Sequence, residues 1–364
     1  MPERELSDEP AHPGGTGLDQ APRQKSVEAS ETGTLGVLHL RRLWSRALAV
    51  RQGQPAAEAE KDWLFDQILL SGLHLALEET MQYLYQSGPS FEEFERWILD
   101  RNNGQVEPER VERINRTIQG LDPSPRQHAV IQEIENAEPA LTEEELQFWD
   151  EQGYVVVRRA VSPEESQAAA EALWLRFGMK LDDPESWYQI RQGHGIMMQF
   201  FHHPALQRIR ESPRIHKAFA QIWGTADLWA TTDRVSFNPP ERPGWMFPGP
   251  RLHWDTSLEL PIPFGVQGLL YLTDTAAEQG AFTCVPGFHR KIHEWLDSLP
   301  SGTSPREQDM EKLGAIPIAA SAGDLVIWHQ ALPHGSRPNR GERPRLVQYL
   351  TMFPPRGEAK RNWR

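Results

Sequence analysis

The apolar positions of this chain change period twice. Residues 1–34 show no apolar periodicity and are rich in Pro, Gly, Glu and Ser, so a disordered tail is expected there. From Leu35 the pattern turns helical. Val37, Leu40, Trp44 and Leu48 recur at helical spacing, and "DWLFDQILLSGLHLALEETMQYLYQSG" continues it. "SFEEFERWILDRNNG" opens on Ser90 as an N-cap, carries acids in its first turn and stops at Asn-Gly. One more short helix is expected around 107–119. Residues 35–120 thus read as a small all-helical unit, closed by the two prolines of "LDPSPRQHAV", with a linker over 121–140.

A second unit, 141–364, opens at "LTEEELQFWDEQGYVVV". Thr142 and Glu145 have the spacing of a capping box, with Leu141 and Leu146 as a hydrophobic staple. That helix should end at Gly153 and lead into a strand over Tyr154–Val157. "SPEESQAAAEALWLRFG" repeats the device: Ser162 as cap, Pro163 at the first helical position, Glu165 closing the box, Gly178 past the end. Beyond residue 225 the helical period fades into short strand-like runs: "LWATTDRVSF", "VQGLLYLTD", "GAFTCVP", "GDLVIWHQ" and "RLVQYLTMF". Pro- and Gly-rich turns part them, the mark of a sandwich or barrel. Helices first and strands after predict an α+β fold with helices packed outside a jelly roll.

Composition narrows what such a fold could serve. Of 364 residues 38% are hydrophobic and 13 are Trp, enough for a real core. A net charge of −13 argues against nucleic-acid or anionic-membrane partners, which need a basic face. Cys284 is the one cysteine, so intramolecular disulfides and Cys-rich metal sites are excluded. Within "GAFTCVPG" it reads as a small buried hydrophobe. No charge-free apolar run reaches the length of a spanning helix. The acidic, Pro-rich start is unlike a secretory leader, and a cytoplasmic location is expected.

In "RLHWDTSLE", His253 and Asp255 stand at the two-residue repeat of a strand, which would aim both side chains to one side. Chance alone supplies about two such triplets in a chain of this composition, so a further ligand must come from elsewhere. "GDLVIWHQALPHGSRPNRGERPRLVQYL" offers it. His334 leads "HGS", with His329 as its rival five residues earlier. Two histidines and a carboxylate make the facial triad of non-haem Fe(II) oxygenases, which leaves positions for co-substrate and oxygen. Arg345, eleven residues past His334, offers a planar two-donor fork for a carboxylate, and Ser336 a hydroxyl for the same group. A charge opening an apolar strand needs such a partner. Arg337 and Arg251 are weaker candidates to meet an acidic substrate group. His202, His203 and Trp245 could line an entrance, though packing is their simpler reading.

In order and spacing, His-x-Asp, "GLLYLTDTAAEQGAFTCVPGFHRKI" and "AGDLVIWHQALPHGSRPN" with its following "RPR" resemble the phytanoyl-CoA dioxygenase family of Fe(II)/2-oxoglutarate oxygenases. "FWDEQGYVVVRRAVSPEES" is similar to that family's opening segment. The resemblance spans about 141–355 and does not reach the helical N-terminal unit. It implies a double-stranded β-helix with the triad at its mouth and Fe(II) on His253, Asp255 and His334. It further implies O2 and 2-oxoglutarate as co-substrates, the distal carboxylate of the latter on Arg345 with help from Ser336. Tyr271 occupies a position where relatives often set an aromatic ring against the co-substrate. His289, in "PGFH", is implied not to be a ligand. Related halogenases carry a small residue in place of Asp255, so hydroxylation or a related oxidation is implied, with release of succinate and CO2. The expected reaction is hydroxylation of an unactivated C–H of a small or medium metabolite. Two other classes stay open: a cupin-type metalloenzyme such as an isomerase, and a silent scaffold or sensor acting through residues 35–120. The apolar stripe of residues 35–85 reads first as helical interior and second as a contact for a partner or a second subunit.

Overall fold

The computed structural model describes residues 30–54, 59–189 and 195–356. Of the expected disordered tail, residues 1–29 lie outside the described residues. Residues 30–34 correct that expectation at its end. Thr34 and Leu35 donate their backbone N–H groups to the buried carboxylate of Glu95, which ties this stretch to the helices.

Six helices come first: α1 Leu40–Arg51, α2 Ala59–Gly72, α3 Leu77–Ser87, α4 Phe91–Arg101, α5 Pro108–Ile118 and α6 Pro125–Asn136. Ser90 and Glu93 form a reciprocal capping box on α4. The last of the six stands where a linker was expected. Pro125 is at the first turn of α6, where a missing N–H costs nothing; Ser124 caps it, and Ile131 and Ile134 are buried. The proline starts a helix there and breaks none. Helices α7 Glu143–Gln152 and α8 Pro163–Phe177 carry both expected capping boxes and end on left-handed Gly153 and Gly178. Then follow α9 Pro204–Arg210, α10 Pro213–Trp223 and, late in the chain, α11 Ile292–Ser298.

The strands are β1 Tyr154–Val157, β2 Met197–Met198, β3 Trp229–Ala230, β4 Val235–Asn238, β5 Val266–Tyr271 and β6 Thr283–Cys284. After them come β7 Ile316–Pro317, β8 Leu325–His329, β9 His334–Gly335, β10 Arg345–Tyr349 and β11 Met352–Phe353. A six-stranded antiparallel sheet runs β1-β8-β5-β10-β4-β2, and a smaller one runs β7-β6-β9. The large sheet is apolar on both faces because both are covered. Leu270, Leu325, Ile327 and Leu346 join the core shared with the helices. Their alternating neighbours Leu269, Tyr271, Val326 and Val347 join a second core against the small sheet. This is why these strands read as unbroken apolar runs.

The helices before residue 137 share the first core with the sheet. Leu69, Phe94, Ile114 and Trp229 belong to one continuous cluster. Gly72 marks the closest approach: a Cβ there would stand 2.4 Å from the Ile114 side chain and 3.0 Å from that of Trp229. No helix among the described residues is long and apolar enough to cross a membrane.

Candidate active site

His253 and His334 meet through their backbones. The His253 N–H donates to the His334 carbonyl at 2.8 Å, and the His334 N–H donates back at 3.0 Å. This isolated bridge, continuous with β9, sets the two imidazoles side by side with ring centroids 4.8 Å apart. Gly335 makes the approach possible, since a Cβ on it would lie 2.4 Å from the Arg251 carbonyl oxygen. The strand expected through 253–255 is thus a single bridge followed by a bend. The alternation survives locally: Trp254 turns the other way, is buried in the second core and donates its indole N–H to the Ala331 carbonyl. Arg306 donates to the carbonyls of Trp254 and Thr256, bracketing the bend that carries Asp255.

Both histidines are oriented by the same device. Nδ1 of His253 faces the Arg251 carbonyl at 2.7 Å, and Nδ1 of His334 faces the Leu332 carbonyl at 3.0 Å. A carbonyl only accepts, so both Nδ1 atoms carry a proton, and each Nε2 is left either to hold a second proton toward a carboxylate or to give its lone pair to a cation. Those Nε2 atoms point at separate oxygens of Asp255, at 3.2 Å and 3.3 Å. The three candidate ligand atoms lie within 4.8 Å of one another. Two cis donors each about 2.1 Å from one ion would stand about 3 Å apart, close to the 3.2 Å and 3.3 Å between Asp255 and the two imidazoles. Hydrogen bonds with His253 and His334 hold the Asp255 carboxyl far below the usual carboxylate range. Burial alone would lower His253, but its bonds to Asp255 and to the Arg251 carbonyl outweigh it and raise the imidazole. A carboxylate facing two imidazole lone pairs is stable only with protons or a cation between them.

Gln267 was not singled out in the sequence, yet it completes this arrangement. Its Nε2 donates to Asp255 Oδ2 at 2.6 Å, while its Oε1 accepts from the Trp328 indole at 3.0 Å. The indole can only donate, so the amide cannot flip, and the carboxylate is held in one rotation. The signal available in sequence was a lone amide in the apolar run "VQGLLY".

The triad opens into a cavity of about 600 Å³ that Trp328, Phe282, Gly335 and Ser336 also line. Directly behind Ser336 lies Arg345, fully buried at the start of β10. Its guanidinium donates to the Gly280 carbonyl at 2.9 Å, to Ser336 Oγ at 3.1 Å and to Ser236 Oγ at 3.0 Å, and its Nε finds no partner. No acidic residue among the described residues pairs with it. The partner demanded by a charge in an apolar strand is therefore a set of neutral oxygens, with Ser236 an addition to the sequence reading.

Tyr271 departs from expectation. It lies fully buried on the small-sheet face of β5 and outside the cavity lining. Its hydroxyl donates to the Ile318 carbonyl and accepts from the Phe282 N–H, both at 2.9 Å, so it ties the two sheets together. Burial pushes this phenol up to about 12. His329 packs against Trp149, Phe264 and His289, away from the triad. His289 itself hydrogen-bonds the Asp150 carbonyl. Arg337 is taken by Glu311 and Thr283. His202 pairs with Glu79, and Trp245 packs edge-on to Tyr188.

Two imidazoles and a carboxylate converging between antiparallel sheets form a donor set suited to one divalent cation. The chain belongs to the phytanoyl-CoA dioxygenase (PhyH) family, whose model matches residues 149–347, more than half of its length. A Dictyostelium discoideum relative, provisionally named a phytanoyl-CoA dioxygenase, is 24% identical over 57% of this chain and 74% of its own. The iron/alpha-ketoglutarate-dependent dioxygenase ausU of Aspergillus calidoustus is 23% identical over 56% of this chain and 67% of its own. Among solved structures, HygX from Streptomyces hygroscopicus, with nickel and 2-oxoglutarate bound, aligns at a TM-score of 0.44 and 19% identity. That alignment covers 61% of this chain and 91% of HygX.

Proposed function

We propose that this protein is an Fe(II)- and 2-oxoglutarate-dependent dioxygenase that hydroxylates an unactivated C–H bond of a small or medium metabolite, releasing succinate and CO2. The observation that carries the reading is Arg345, a buried guanidinium satisfied only by neutral oxygens and joined through Ser336 to the cavity that holds the triad. A buried cation without a counter-ion is costly, and an anion that reaches it through the cavity removes the cost. Membership in the dioxygenase family supports the same reading, as does likeness to a relative named for iron and alpha-ketoglutarate. The facing sheets, with the His253–His334 bridge between their ends, support a double-stranded β-helix as the architecture.

In this reading Nε2 of His253, Nε2 of His334 and the Asp255 carboxylate hold the iron, and Gln267 fixes the rotation of that carboxylate. Iron and 2-oxoglutarate, when bound, supply the oxidation of the substrate by O2. Arg345 and Ser336 take the far carboxylate of the co-substrate and fix its orientation. Trp328 and Phe282 form a dry wall beside it. A carboxylate at 255 keeps that ligand place closed to a halide and supports hydroxylation over halogen transfer. Anaerobic titration of the apoprotein with Fe(II) and then 2-oxoglutarate tests this. The expected result is a visible charge-transfer band in the wild type that weakens in Asp255→Ala and in Arg345→Ala. Tight iron binding with no band on adding 2-oxoglutarate would remove the co-substrate assignment and favour a cupin-type isomerase.

A further inference from the structure

The floor of the cavity comes from the family-matched segment, but its outer wall does not. Trp63, Gln67, Leu70 and Ser71 of α2 line the same cavity as the triad, followed by Leu77 and Glu78 at the start of α3. The α2 positions recur at the spacing of one helix face, so that face looks into the cavity along its length. Trp63 is 43% exposed and Leu77 41% exposed, large apolar groups in the cavity lining that the fold leaves partly uncovered.

The wall is firmly mounted. Ile68, Leu69 and Leu73 are buried behind it. Two adjacent carboxylates then fasten the start of α3 to the other side of the cavity: Glu78 to Arg234 at 3.0 Å and Glu79 to His202 at 2.8 Å. Charge around the opening is equally informative. Among the described lining residues Arg234 is the one guanidinium and there is no lysine, against the acids Glu78, Asp233 and Asp255. Arg234 is committed to Glu78 and lies 3.7 Å from Asp233, so among the described lining residues no free cation awaits a phosphate or carboxylate.

We infer that the 63–78 segment is the substrate-discriminating wall of the site, and that the substrate it selects is a neutral, largely apolar molecule of intermediate size. The cavity's volume of about 600 Å³ suits such a body and not a nucleotide-bearing thioester enclosed whole. Calling the occupant a substrate rests on the proposed oxygenase function.

The test uses the full chain, loaded anaerobically with Fe(II) and 2-oxoglutarate, and the neutral apolar dye Nile red as probe. Blue-shifted, saturable dye fluorescence is expected in the wild type. Binding should weaken roughly tenfold in Trp63→Ala and in Leu77→Ala, and further in the double variant. Leu175→Ala, which removes an exposed leucine outside the cavity lining, should leave it unchanged. The charge-transfer band should persist in every variant, and coenzyme A should not displace the dye. Equal dye binding by the double variant and the wild type would overturn the wall, as would displacement of the dye by coenzyme A. If the wild type gives no band while dye binding still depends on Trp63 and Leu77, the wall stands and the oxygenase reading falls. A band with dye binding indifferent to both residues removes the wall alone.

Discussion

At the scale of single residues, the site is built from side chains whose freedom has been removed one hydrogen bond at a time. The carbonyls of Arg251 and Leu332 choose the imidazole tautomers, and the Trp328 indole chooses the face of Gln267. Removing a group that orients a metal ligand costs ten- to a hundredfold in metal affinity. Gln267→Ala should therefore bind Fe(II) about that much more weakly in a competition titration, with little loss of melting temperature. Arg345 leads to the opposite pattern. Arg345→Met removes an unpaired buried charge, so the apoprotein should melt at the same temperature or higher. The wild type should gain about 3 kcal/mol of stability at a hundredfold excess of 2-oxoglutarate over its dissociation constant, and the variant none. The residues that converge, His253, Asp255 and His334, were legible from residue type and order along the chain, and so was the burial of Arg345 from its place at the head of an apolar strand. Gln267, Ser236 and Arg306 were not, since each acts on a partner distant in sequence and has an ordinary local context. Tyr271 lay in a recognisable stretch, but its hydroxyl is consumed between the sheets, which spacing cannot reveal.

At the scale of elements, capping chemistry was readable and helix-starting prolines were less so. The boxes expected at Thr142 and Ser162 are local, reciprocal and present, and Ser90, expected as a simple cap, forms a third. Pro125 looked like a breaker because the same residue that ends one helix starts another; the Ser124 before it was the deciding cue. The large sheet's strands were visible as apolar runs, but which residues face which core follows from pairing register, a long-range fact. Register also makes the His253–His334 bridge fragile. Gly335→Ala would drive a Cβ into the Arg251 backbone, which cannot rotate aside. The variant should lose about 1–3 kcal/mol of stability and bind metal more weakly than that loss explains, as thermal melts and iron titration would report together.

At the scale of the whole molecule, helices and sheet are one folding unit by their shared core. A chain beginning at residue 138 would expose Trp229 and its neighbours where α2 and α5 now pack, so it should be insoluble or molten by near-ultraviolet circular dichroism. The helical pattern itself was clear in the sequence. That it closes a cavity was not, because amphipathicity gives a face without naming what it meets. Stability should also depend on pH in a defined direction. Burial, with Arg110 and Arg210 nearby, lowers His74 from 6.5 to about 3, and burial lowers His329 to about 3. The unfolded chain binds these protons first, so stability is full above about pH 6.5 and falls as pH drops toward 3. Each histidine should cost up to about 2 kcal/mol between pH 7 and pH 5. His74→Asn, which keeps the left-handed backbone accessible, should flatten the decline in urea melts.

At Gly72 α2 packs too closely on Ile114 and Trp229 to admit even a Cβ, and the helix is divided lengthwise. On one side, Ile68, Leu69 and Leu73 are frozen by the fold; on the other, Trp63 and Gln67 answer only to whatever enters the cavity. Mutational drift then sorts by helical turn. Truncations on the frozen side should each cost about 2–5 kcal/mol of stability, while exchanges on the open side should alter the cavity at little cost to folding. A lineage carrying this architecture would then change the cavity wall in single steps and leave the His253, Asp255 and His334 cluster unaltered.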